Sequence, residues 1–444
     1  MVAGLWGGPS AAFMLPFIPL AIAVLSNPRL GMWLAFPVLI LIPYGSLRLP
    51  LPVLDSPLAV LIVATLAAAL AQTIARRRTI PFTTLYYPIV VCVALMAANL
   101  FLGRGDDTGL RLYSFAISLW PFVFALLLVD TPRQARVFLL TAVVPLALIV
   151  ALWAPTMAWY VLTGQGSSLM RASPSAYFSE RYSLLAFLKP GGVIQNWMVL
   201  MVAPIFLSIG LLSASTWLRR LARVAHLICA AYLMLGTFAA SIAALVFETL
   251  LVALLGRGMA RPQFRGYLYL ATLALVMLLV LAATGLRPVI ELRFRIQFDP
   301  TFVGAAFSPR SESYRAGLAL AARYPIVGIG GYLYASETAQ GEFLPGHSFW
   351  IEILYQFGVF YCLAWVGIAT WVCVHAWRLL RQTVHSEERA VLLGILGGLV
   401  TAITLSLVNP VLDSPGPDGY FWFFAALIVL WSRWRKVDPQ AALL

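Results

Sequence analysis

Apolar runs of about 16–22 residues recur along the whole of this chain, each close to the ~20 residues a helix needs to cross a bilayer. They lie near residues 11–26, 30–45, 57–75, 84–102, 111–129, 136–155, 192–213, 221–236, 239–256, 267–285, 359–377, 390–409 and 418–432. That gives twelve or thirteen spans, the first two short, and points to an all-α polytopic membrane fold. Only two polar gaps are long, 156–191 and 286–358, so residues 1–444 read as a single integral-membrane domain with two extended loops. Composition agrees, with 61% hydrophobic and 11% charged residues among 444 and a mean hydropathy of +0.90, outside the range of soluble globular chains.

The opening stretch, MVAGLWGGPSAAFML, has neither a basic n-region nor a convincing cleavage site, so no removable signal peptide is expected. Cys92, Cys229, Cys362 and Cys373 all fall inside expected spans and form no disulfide or zinc pattern.

Basic residues set the orientation. Alternate short loops carry Arg76-Arg77-Arg78, Arg133 and Arg136, Arg219, Arg220 and Arg223, Arg257, Arg261 and Arg265, Arg378, Arg381 and Arg389, then Arg433, Arg435 and Lys436. The positive-inside rule makes these loops cytoplasmic and puts both long loops on the other side. Much of the net charge of +13 is therefore topological. These arginines punctuate spans rather than line a groove with stacking aromatics, which argues against nucleic acid as a partner; the bilayer is the partner they imply.

The outer loops break the pattern. Residues 156–191 contain Arg171, Arg181 and Lys189 against the single acid Glu180. Residues 286–358 contain Arg287, Arg293, Arg295, Arg310, Arg315 and Arg323, with no lysine. A guanidinium grips phosphate oxygens with a planar fork and stays charged at any relevant pH. Arginines at an outer lipid boundary thus suggest a lipid-linked phosphate or diphosphate. The plainer alternative is contact with lipid headgroups or with nearby acids.

The segment SPRSESYRAGLALAARYPIVGIGGYLY, 308–334, followed by GHSFWIEILYQFGVFYCLAWVGI, 346–368, resembles the core of the O-antigen ligase and polymerase superfamily. The matching features are Arg310, a short amphipathic helix around Tyr314–Ala322, and the turn residues Pro325, Gly328 and Gly330. His347-Ser348 then opens a helix that reaches Gly358, with Tyr361 beyond. Arg181 with Leu185 is similar to the Arg-x-x-x-Leu pattern of the family's first outer loop. One departure is Ile242 after Ser241, where many members carry an arginine that bears on a phosphate contact.

The resemblance implies transfer of a glycan from a polyprenyl-diphosphate carrier to a sugar acceptor, either lipid A-core or another carrier-linked glycan. The reaction would invert the anomeric centre on the outer face of the bacterial cytoplasmic membrane, with no cofactor and no metal. The residues are suited to that chemistry. A diphosphate leaving group needs its charge neutralised, and the attacking hydroxyl needs alignment and a proton acceptor. Arg181, Arg310 and Arg315 would serve the first need; His347, the sole histidine of the outer loops, would take the proton. Arg171, Lys189, Ser348 and Glu352 are candidate substrate contacts. His347, Ile351, Leu354 and Gly358 share one helical stripe, with Gly358 allowing close helix approach.

The remaining signals are weaker. GIGG, 328–331, is a turn rather than a dinucleotide loop, because no βαβ unit surrounds it. Asp106-Asp107 reads as a solvated outer turn rather than a metal pair. Glu248 sits mid-span, where an exposed charge is costly. Trp153, Trp159 and Tyr160, and Tyr420, Trp422 and Phe423, read mostly as interfacial belts. A transporter or flippase of lipid-linked or anionic substrates is the competing class. It would show repeats and broken spans in two halves, and neither is visible in the sequence.

Overall fold

Twelve of the thirteen expected spans coincide with helices in a computed structural model of the chain. It describes residues 17–41, 57–77, 80, 82–105, 108–162, 193–235, 239–256, 313–331, 336–337, 343–344, 348–413 and 415–437. The helices are α1 (Phe17–Ser26), α2 (Pro28–Leu41), α3 (Pro57–Ala75), α4 (Tyr86–Phe101), α5 (Thr108–Ser118), α6 (Trp120–Leu128), α7 (Pro132–Leu162), α8 (Val193–Leu212), α9 (Thr216–Leu235) and α10 (Ala239–Gly256). A helix at 313–323 follows, then α11 (Phe349–Gln382), α12 (Ser386–Leu405) and α13 (Pro415–Val437). Five of these segments are long and apolar enough to cross a membrane: Leu58–Ala75, Thr108–Leu128, Pro132–Trp153, Phe349–Gln382 and Ser386–Leu405. Among the described residues the one β pairing is antiparallel and minimal, Ser336 opposite Leu344 and Glu337 opposite Phe343. The protein is an all-α polytopic membrane protein. The expected span at 267–285 lies outside the described residues.

Exposed apolar side chains support a lipid-facing perimeter. Phe360, Leu363 and Val366 on α11 are 53%, 57% and 44% exposed. Three such residues on one face would be an aggregation liability in water and are the normal surface in hydrocarbon.

Contacts sort the loops into two sets. At one end of the bundle Arg435 pairs with Glu388 at 3.1 Å and Arg29 with Asp130 at 3.2 Å, while Ala214 N donates to Glu387 at 3.0 Å. At the other end Arg104 donates to Gly328 O at 2.9 Å, and Phe349 N to Ser406 O at 3.1 Å.

Several expectations need correction. Tyr420, Trp422 and Phe423 are fully buried rather than interfacial. They belong to α13, whose residues 416–431 are buried on every side, and they pack against rings from other helices. Phe36 lies 4.9 Å from Tyr420, Phe138 lies 4.8 Å from Phe423, and Trp365 lies 5.6 Å from Trp422. Trp153 is also buried, stacked on Tyr232 at 6.0 Å. The span expected at 111–129 is interrupted at Leu119, because Pro121 in the first turn of α6 has no N–H to continue the ladder. Helix α7 runs on to Leu162, into what reads in the sequence as the start of the first loop.

Glycines allow α8 and α12 to pack closely. A methyl group at Gly398 would lie 2.3 Å from Met201 O, so the two backbones touch in the small-residue manner of membrane helices. Glu248 on α10 is fully buried, and among the described residues neither of its carboxyl oxygens has a hydrogen-bond partner.

Candidate functional site

Ser348 starts α11. Its backbone is extended (φ −139°, ψ 118°) and its hydroxyl accepts from Ile351 N at 3.4 Å, the N-cap geometry that satisfies one of the first-turn amides. Ten residues on, Gly358 adopts φ 84°, ψ 179° and breaks the helix. Residues 349–357 are therefore a separate half-helix at the loop end of the bundle. Gly358 makes a kink where the sequence suggested a helix–helix approach.

A break in a span frees backbone groups that lipid cannot satisfy. The turn formed by Pro325–Gly330 satisfies them. Ile329 N donates to Tyr355 O at 2.9 Å, Gly330 N to Gln356 O at 2.8 Å, and Val359 N to Pro325 O at 2.8 Å. The fit needs glycine on both sides. A methyl at Gly358 would lie 2.1 Å from Ile326 O, and one at Gly328 (φ +68°) 2.2 Å from Gln356 O. Helix 313–323 lies against the same half-helix through its stripe of buried positions 313, 317 and 321. A methyl at Gly317 would meet Ile351 Cγ2 at 2.7 Å.

The segment 104–111 closes the unit from the other side. Arg104 holds Gly328 O, and Thr108 Oγ1 accepts from Gly331 N at 2.7 Å. One turn further along α5, Arg111 spreads its guanidinium over two carboxylates. Its Nη2 donates to Glu352 Oε1 at 2.5 Å and its Nη1 to Asp413 Oδ2. Gln356 Nε2 also donates to Glu352 Oε1, at 3.2 Å. Arg111 and Glu352 each keep only 6% of their side-chain surface, whereas Asp413 keeps 30% and opens toward the loop end. These residues, with Asp418 and a rim of aromatic side chains, line a cavity of ≈ 30 Å³. A cavity of that size holds a water or two, and ligand pockets run to hundreds of Å³. The ion cluster is thus too tightly enclosed to be a chamber for a sugar, and its charged groups serve one another.

The structure brings three of the sequence-derived candidates to this unit. Ser348 caps the half-helix, Glu352 lies inside the ion cluster rather than facing water or ligand, and Arg315 is exposed on helix 313–323. Arg171, Arg181, Lys189, Arg310 and His347 lie outside the described residues, as do Asp106 and Asp107. Tyr361, beyond the kink, is buried and its hydroxyl donates to Met96 Sδ at 3.6 Å, a packing role. Among the described residues no group of three or more His, Cys, Asp or Glu is placed to hold a metal ion. Sequence reasoning missed Arg104, Arg111, Asp413 and Asp418. The one available signal was an arginine one turn inside an apolar span, which demands a buried partner.

Compared with known proteins, the chain matches no family model, and no curated protein matches it.

Proposed function

We propose that this protein is a membrane glycosyltransferase that moves a glycan from a polyprenyl-diphosphate carrier to a sugar acceptor, in the manner of the O-antigen ligases and polymerases. The observation that carries the reading is the interlocking of the motif. Helix 313–323, the Pro325–Gly330 turn, Ser348 and Gly358 are separate in sequence yet meet on one half-helix. A set of residues that resembles a catalytic signature also behaves as one physical unit.

In this reading Arg181, Arg310 and Arg315 neutralise the donor diphosphate, and His347, next in sequence before the Ser348 cap, accepts the acceptor proton. The acceptor oxygen bonds to the anomeric carbon from the face opposite the leaving group. The bond from that carbon to the diphosphate oxygen breaks, polyprenyl diphosphate departs with the electron pair, and the configuration inverts. The acceptor is lipid A-core or another carrier-linked glycan, and the membrane is the bacterial cytoplasmic membrane with the site on its outer face. Reconstituted wild-type protein should transfer glycan from a polyprenyl-diphosphate donor. His347→Ala should lose about 10²–10⁴-fold in rate with donor binding retained, and Arg310→Lys should weaken donor use because the fork is lost. Wild-type rates from both variants would reject the reading.

One observation favours transport as a second reading. The break at Gly358, beside buried charges, is the kind of discontinuous span that transporters place at substrate sites. Movement of a labelled lipid-linked glycan across vesicle bilayers, with no transfer product, would decide for it.

A further inference from the structure

We infer that Arg111 is a positioning residue for the proposed transfer: its two-carboxylate clamp fixes the direction in which the half-helix headed by Ser348 leaves the bundle. The inference rests on the glycosyltransferase reading for its catalytic consequence and on geometry alone for the clamp.

The half-helix is short and severed from the rest of α11 at Gly358. Its far end is held by three backbone hydrogen bonds to the Pro325–Gly330 turn and across the kink. Its near end has a hydrogen bond from Phe349 N to Ser406 O and a long one, 3.4 Å, from Trp350 Nε1 to Ile403 O. Both join it to the end of α12, so they fix one side only. Toward α5 the half-helix is held by a directional contact from the guanidinium of Arg111. Because the guanidinium is planar, its simultaneous grip on Glu352 and Asp413 sets an angle as well as a distance. It ties the half-helix to α5 and to the short 3₁₀ turn Val411–Asp413 at once. Glu352 lies four residues after Ser348, so rotation of the half-helix about its axis would swing the first turn and the residue bonded before it. Reacting groups displaced by about 1 Å lose on the order of a hundredfold in rate. A lysine reaches one carboxylate and cannot bridge both.

The test compares wild type, Arg111→Lys, Arg111→Met and the apolar pair Arg111→Met/Glu352→Met, full-length in liposomes. Two readouts are taken: kcat and KM for a polyprenyl-diphosphate donor, and the distance distribution between spin labels at positions 110 and 347 with native cysteines replaced. Expected are a kcat loss of about tenfold or more for Arg111→Met with donor KM nearly unchanged, a smaller loss for Arg111→Lys, and a broadened or shifted label distance in both. The apolar pair removes the stranded carboxylate of Glu352 and remains testable if the single variant fails to fold. It should still show the kcat loss and the broadened distance, because apolar packing has no preferred angle. Wild-type kcat and a wild-type distance in the apolar pair would overturn the inference and leave the cluster a packing feature. If wild-type protein transfers no glycan, the glycosyltransferase reading fails, and the label distance alone decides the clamp: unchanged, it is rejected; broadened, it stands.

Discussion

One methyl group tests the architecture of the kink. In Gly358→Ala the new Cβ would lie 2.1 Å from Ile326 O and 2.4 Å from Ile326 C. Both are backbone atoms that cannot rotate aside, and φ near +84° strains any residue with a Cβ. Such backbone strain costs about 1–3 kcal/mol. The strain is relieved if the Pro325–Gly330 turn withdraws, but three hydrogen bonds share that contact. Each contributes about 1 kcal/mol net in water-accessible protein, and more where lipid leaves the freed group unpaired. The substitution should therefore destabilise by roughly 3–6 kcal/mol. Gly367 on the same helix is the control, since a methyl there meets nothing within 4 Å. Gly367→Ala should gain up to about 1 kcal/mol from helix propensity. Thermal unfolding in detergent, with trypsin cleavage near the exposed Arg323 as a local probe, separates the two. If Gly358→Ala melts with Gly367→Ala and Arg323 is cut no faster, the kink is not held by the turn and the interlocked unit is wrong.

Ser348→Ala removes the acceptor for Ile351 N and should cost about 1 kcal/mol, seen as a lower Tm and faster amide exchange over residues 349–352. Gly398→Ala puts a methyl 2.3 Å from Met201 O and should cost about 1–3 kcal/mol as α8 and α12 separate; an unchanged Tm would refute that close contact. Glu248→Met replaces a buried carboxyl, whose oxygens are unbonded among the described residues, with an apolar side chain of similar size. It should raise stability by about 1–3 kcal/mol, and a fall in Tm would mean that Glu248 has a partner beyond those residues.

The spans were legible because each is a local property: a long enough apolar run announces its helix whatever packs against it. The turn at 328–331 and the helix near Tyr314–Ala322 were legible for the same reason, through glycine and amphipathic spacing. What packs against what was not legible. Trp422 and Phe423 carry the same local pattern in an interfacial belt as in a buried core, and only the position of α13 among its neighbours decides between them. Gly358 looks equally suited to close helix contact and to a kink. The choice falls to the Pro325–Gly330 turn, which supplies partners for the carbonyls a kink releases.

The ion cluster shows the same limit more sharply. Arg111 and Glu352 are 241 residues apart in sequence, and each alone reads as a polar intrusion at the start of an apolar run. Taken singly, Glu352 reads as a substrate contact, which assumes that it faces outward. A charge one turn inside a span has a second fate, a partner on another helix, and burial of an unpaired carboxylate is costly enough to make that fate the default. The same rule extends to Arg111. With two carboxylates on its fork it has little left to offer a diphosphate. Within the span Arg111 thus holds the scaffold, joining α5, the half-helix 349–357 and the turn Val411–Asp413.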